Sequence, residues 1–114
     1  MKREQTYKGE NGKSEQIEIT LNGKPVSGLR RHDIVQKDAL TGDIKAIEVK
    51  DYRSSKVYLS EDIKREALMD IQLLKDKKVK QVEWVFKTHG DKKGEPSEPL
   101  KRFLESNGIK ITIL

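Results

Sequence analysis

The chain has 114 residues, 33% hydrophobic and 38% charged, with 24 Lys and Arg against 19 Asp and Glu for a formal charge of +5. That length holds one domain with one modest core. The absence of cysteine excludes disulfides, thiolate zinc sites and a cysteine nucleophile, and no apolar run approaches the roughly 18 residues of a membrane span. The opening MKREQTYKGENGKSEQ lacks the hydrophobic stretch of a signal peptide, and the basic excess leans toward polyanionic partners.

Residues 1–14 are polar and glycine-containing, and are expected to be a linker or a truncated N-terminal segment ahead of a folded domain over 15–114. Ile17, Ile19 and Leu21 alternate with polar residues in the two-residue period of a half-buried strand, and Asn22-Gly23 signals a turn. Two further strands are expected near Arg30 to Gln36 and over Ile44 to Lys50, with Thr41-Gly42 turning the chain between them. Ser60 can cap a helix whose apolar stripe is Ile63, Ala67, Ile71 and Leu74, running to about Lys78. In QVEWVFK, Val82, Trp84 and Phe86 take one face and Val85 the other, as in a strand buried on both sides at mid-sheet. Ser97 can cap a short helix carrying Leu100, Phe103 and Leu104 and ending at Asn107-Gly108, and Ile109, Ile111 and Ile113 form a last strand. The expected fold is α/β (α+β): a mixed central sheet with an antiparallel front hairpin, flanked by helices.

Charge interrupts the strands where their pattern calls for burial. Along Ile44 to Lys50 the alternation puts Ala46, Glu48 and Lys50 on one face, with Glu48 and Lys50 about 7 Å apart. If the hairpin closes with Asp38 opposite Asp43, paired residue numbers sum to 81 and Asp33 falls opposite Glu48. Two facing carboxylates repel unless a cation lies between them. A divalent ion satisfies that need: Mg²⁺ accepts one or two protein carboxylates and keeps its remaining waters for chemistry. A neighbouring ammonium, Lys50, can then orient a nucleophile or stabilise a phosphoryl transition state. The plainer alternative is a solvated strand face with a weak ion pair.

Asp33, then Glu48-Val49-Lys50 on the next strand, then a long helix and further strands, resembles the PD-(D/E)xK nuclease superfamily with its restriction-endonuclease-like core. More narrowly, GLRRHDIV…TGDIKAIEVKDY and VEWVF…LESNGIKITI are similar to the C-terminal nuclease toxin modules of bacterial polymorphic and contact-dependent growth inhibition proteins. The resemblance covers Gly28 to Leu114. It implies a nuclease domain over 15–114, with Asp33 and Glu48 as ligands of Mg²⁺ (or Mn²⁺) and Lys50 as the catalytic lysine. His32 stands where the motif's proline would be. The family usually begins with a helix bearing another acid; residues 1–13 offer none, and Glu15 or Glu18 would have to serve.

The resemblance further implies hydrolysis of DNA or tRNA phosphodiesters by a module of a larger secreted or cell-surface protein, acting in the target-cell cytoplasm and neutralised by an immunity protein, which the charge of +5 leads us to expect to be acidic. The alternatives are a housekeeping nuclease of repair or recombination, and a non-catalytic basic nucleic-acid-binding module. Arg30 and Arg31 are either surface charges or phosphate contacts, and Gln72 resembles a polar position near such active sites. Lys75, Lys77, Lys78 and Lys80 solvate the surface or line the substrate path. His32 and His89 make no metal pair, and Trp84 and Phe86 are expected in the core.

Overall fold

The structure, a computed structural model, describes residues 15–21 and 23–114; the expectation for residues 1–14 lies outside them. β1 (Glu15–Leu21) and β2 (Lys24–Arg30) form a two-stranded antiparallel sheet. β3 (Ile34–Lys37), β4 (Ile44–Lys50), β5 (Gln81–Phe86) and β6 (Lys110–Ile113) form a four-stranded sheet in that order. β3 and β4 are antiparallel, while β4, β5 and β6 run parallel, joined by α1 (Glu61–Lys75) and α2 (Glu98–Ser106). The chain is thus α+β with a mixed sheet and two flanking helices, and β5 lies inside the sheet as its two-sided apolar pattern requires.

The front of the chain differs from expectation. The first strand pairs outside the main sheet, with a strand that Pro25 and Gly28 conceal in the sequence, since both residues weaken a strand pattern. Gly28 packs close to α1: a Cβ at that position would stand 3.0 Å from Met69 Cε, the far end of a flexible side chain that can shift. Ile19 of this hairpin joins Met69 and Leu73 of α1 in a small satellite cluster, so the hairpin rides on α1 and brings Arg30 to the end of β2 beside the helix.

The β3–β4 hairpin takes the expected register, Ile34 opposite Ile47 and Lys37 opposite Ile44. Asp38 builds its loop. Its backbone exchanges hydrogen bonds with Asp43 and Gly42, both at 2.8 Å, and its carboxylate accepts from the Leu40 and Thr41 amides.

α1 begins as expected, with Ser60 Oγ accepting from the Ile63 amide at 3.3 Å and Glu61 and Asp62 in the first turn. It ends at Lys75, three residues before the expected Lys78. Lys77 adopts a left-handed φ of 58°, its N–H donates to the Leu74 carbonyl and that of Lys78 to the Leu73 carbonyl, which closes the helix as a glycine ordinarily does. α2 closes in the same way through Gly108, at φ 83°.

The main core lies between the sheet and the two helices: Ala46, Val82, Trp84 and Phe86 from the strands, Ile63, Ala67 and Ile71 from α1, and Leu100 and Leu104 from α2. Burying an aromatic side chain removes roughly 150–250 Å² from water, on the order of 4–6 kcal/mol before entropy, so Trp84 and Phe86, both fully buried, anchor the domain.

Beyond the C-terminal ends of β4 and β5 two loops are tied together. Gly94, at φ 88°, leaves no room for a Cβ, which would lie 2.5 Å from the Lys87 carbonyl oxygen and 2.6 Å from that of Tyr52. Val57 donates to Glu95 and accepts from Ser97, each at 2.9 Å.

Candidate active site

In parallel register, Ala46, Glu48 and Lys50 sit beside Val82, Trp84 and Phe86, so the charged face of β4 is the face that α1 covers. Glu48 and Lys50 are 8% and 6% exposed. The apparent misplacement of charge is therefore real burial, and buried ions need partners.

The partners come from α1 and from the end of β2. Lys50 Nζ lies 3.1 Å from Glu48 Oε2 and 2.6 Å from Glu66 Oε1, with its ammonium 5.1 Å from the Trp84 ring centroid. On the other side of Glu48, Arg30 NH2 approaches Oε1 to 3.4 Å. The guanidinium is held by Asp70, with Nε 2.9 Å from Oδ1 and NH2 3.1 Å from Oδ2, while NH1 donates to the Arg31 carbonyl. Asp70, with no exposed surface, accepts two more bonds, from His32 Nε2 at 2.7 Å and Trp84 Nε1 at 2.8 Å. Glu66 and Asp70 are one helical turn apart, on neighbouring positions of one face. Charges of alternating sign thus run from Glu66 through Lys50, Glu48 and Arg30 to Asp70.

Asp33 follows the buried His32 and is itself exposed. Its Oδ2 accepts the Val49 amide at 2.8 Å, which ties it to β4 between Glu48 and Lys50, and its charge acts on Glu48.

The electrostatics follow from burial set against these partners. Burial pushes the Glu48 carboxyl up by more than Arg30 and Lys50 pull it down, and Asp33 adds to the rise. Burial pushes the Lys50 ammonium down, but Glu66 and Glu48 outweigh it and hold the group above the ordinary lysine value. Burial likewise opposes ionisation of Asp70, yet His32 and Arg30 keep its carboxyl below the usual range.

A divalent cation fits one atom of this arrangement. Among the described residues, Glu48 Oε1 is the buried side-chain oxygen or nitrogen without a hydrogen bond, and Arg30 stands near it without bonding. Among the described residues no group of three or more His, Cys, Asp or Glu gathers to hold a metal. An ion here would rest on Glu48 and Asp33 with water completing its shell, which is how Mg²⁺ is ordinarily bound.

Of the residues singled out in the sequence, Asp33, Glu48 and Lys50 share one neighbourhood. Arg30 is only 4% exposed and committed to Asp70, so it serves as an internal cation rather than a phosphate contact. Arg31 is exposed. Gln72 donates to Asp76 at 3.0 Å on an outer side of α1, away from Glu66 and Asp70, so it does not join the site. Lys77, Lys78 and Lys80 line a cleft of about 600 Å³ with Ile44 at the start of β4, roughly 20 Å along the strand from Lys50. His89 pairs with Asp51 at 2.8 Å, apart from His32.

Glu66 and Asp70 were missed. Asp70 had a signal: three residues after Ala67 and seven after Ile63, it falls on the helix's apolar stripe, where a carboxylate demands a partner. No protein-family model, curated protein or solved structure matches the chain.

Proposed function

We propose that this domain is a metal-dependent nuclease, with Asp33 and Glu48 as metal ligands and Lys50 as the catalytic lysine. The observation that carries the reading is the buried, unbonded Oε1 of Glu48, beside an ammonium and next to an acid tied to the same strand. The order of elements around it, an antiparallel hairpin, a helix and two more parallel strands, supports a restriction-endonuclease-like core, and the charge of +5 suits a polyanionic substrate.

A bound Mg²⁺ or Mn²⁺ would supply Lewis acidity and a more acidic water. The chain's residues do the rest. Lys50, held protonated by Glu66 and Glu48, is suited to stabilise negative charge developing on the phosphoryl oxygens and to orient the attacking water, rather than to remove its proton. Water would add to phosphorus as the bond to the leaving sugar oxygen breaks, with the water's proton passing to solvent and the departing oxygen taking one up. Arg30 compensates Glu48 from behind. In the toxin form of the proposal the domain ends a larger delivered protein and is blocked by an acidic immunity protein, whose charge would speed encounter with a basic surface.

A second reading, a non-catalytic basic nucleic-acid-binding module, is favoured by the ion pairs themselves, because Lys50 already has two carboxylate partners. Incubating the chain with plasmid DNA and total tRNA, with and without Mg²⁺, decides between them. Mg²⁺-dependent cleavage lost in Glu48→Gln supports the nuclease; binding without cleavage supports the module. A housekeeping nuclease would cleave equally well but would have no dedicated inhibitor.

A further inference from the structure

We propose that Asp70 is the positioning residue of this site: it holds the Arg30 guanidinium where it compensates Glu48 without occupying the oxygen that a metal needs. The inference rests on the metal-dependent reading above and adds a residue that touches neither metal nor substrate.

The geometry is specific. Arg30 spends Nε and NH2 on the two oxygens of Asp70 and NH1 on the Arg31 carbonyl. Its NH2 is left 3.4 Å from Glu48 Oε1, close enough for charge to act but making no hydrogen bond. Freed of Asp70, a guanidinium would turn its planar fork onto the nearest carboxylate, since bidentate Arg–carboxylate pairing is the favoured arrangement. That carboxylate is Glu48, and such a pairing would cover Oε1. Asp70 can prevent it because it is itself fixed, with His32 of the β2–β3 connection and Trp84 of β5 donating to it. The acid on α1 therefore keeps an internal cation from competing with an external one.

Arg30 is then a competitor in waiting, and removing it should rescue the loss of Asp70. Mn²⁺ binding to the folded chain, without nucleic acid, can be followed by electron paramagnetic resonance and by quenching of Trp84, the one tryptophan. Asp70→Asn should weaken Mn²⁺ binding roughly tenfold or more, in the range found when residues behind metal ligands are changed. Arg30→Met combined with Asp70→Asn should return the affinity to near that of the wild type. A purely structural role for Asp70 predicts the opposite order, with the double variant worse. A folded Asp70→Asn that binds Mn²⁺ like the wild type, or a double variant as weak as the single one, overturns the proposal.

Should Asp70→Asn fail to fold, the wild-type chain still decides. Under Mg²⁺ titration the NMR signal of the Glu48 carboxyl carbon should move while the Arg30 Nε–H and Trp84 indole N–H signals stay in place, and a shift of the Arg30 signal overturns the role. Cleavage measured on the same samples separates the two ideas. Binding that follows this pattern without any cleavage overturns only the nuclease reading, whereas a wild-type chain that binds no Mn²⁺ overturns both.

Discussion

The indole N–H of Trp84 donates to Asp70 Oδ2 at 2.8 Å, joining β5 to α1 through the centre of the domain. The same ring that fills the core thus satisfies a wholly buried carboxylate. Trp84→Phe keeps much of the ring and removes one donor, which should cost about 1–3 kcal/mol beyond any cavity. Asp70→Ala removes the anion shared by Arg30, His32 and Trp84, and even with Glu48 left to Arg30, breaking a buried ion pair from one side costs about 3–5 kcal/mol. Urea melts should rank the variants in that order. If Trp84→Phe proves the more damaging, ring packing outweighs the ion pairs.

A pH series on Glu48→Gln tests the electrostatics. Burial holds the Glu48 carboxyl above the usual range in spite of Arg30 and Lys50, while in the unfolded chain it ionises at its ordinary, lower pH. The ionised group therefore costs folded-state stability at neutral pH, and that cost fades as pH falls through the raised folded value. Glutamine carries no charge at any pH. The variant should melt above the wild type near neutrality, with the gap closing on acidification; a gap that instead widens would sink this account of Glu48.

If the domain is the nuclease proposed above, Lys50→Met should lower Mg²⁺-dependent cleavage by roughly 10²–10⁴-fold, the range for losing a positioned proton donor or electrostatic stabiliser. Glu66→Gln should cost less, about tenfold, because Glu48 and the Trp84 face still hold the ammonium. Single-turnover assays on labelled RNA and DNA check both. Wild-type rates in Lys50→Met would remove this residue from the mechanism.

Gly94→Ala should destabilise the loops at the ends of β4 and β5. The left-handed φ alone disfavours alanine by about 1–2 kcal/mol, and its Cβ would meet two carbonyl oxygens within 2.6 Å. Hydrogen exchange at the Val57 and Ser97 amides, both bonded across this junction, should accelerate before the central strands are affected. Unchanged protection at those amides would show that the junction relaxes without loss.

Local chemistry made parts of this structure readable. The Asp38-to-Gly42 loop fixes the hairpin register, the two-residue period places Glu48 and Lys50 on one face, and the serine caps mark where both helices start. Elsewhere a residue took another's usual role. Lys77 turns the chain where a glycine is expected, and β2 hides behind Pro25 and Gly28. The groups that β2 and α1 bring to Glu48 and Lys50 were illegible for a different reason. Alternation tells which side chains share a face, not which element covers it, and Arg30 and Asp70 meet across 40 positions of sequence with no local pattern linking them.

One helix supplies both the apolar stripe that closes the core and the two acids that hold Lys50 and Arg30. Until α1 docks, those cations are hydrated and wander with the chain, and Glu48 has no fixed surroundings. The proposed site therefore exists only once α1 is packed on the sheet. A polypeptide of this sequence passing unfolded through a narrow channel carries every residue of that charge cluster and none of its arrangement.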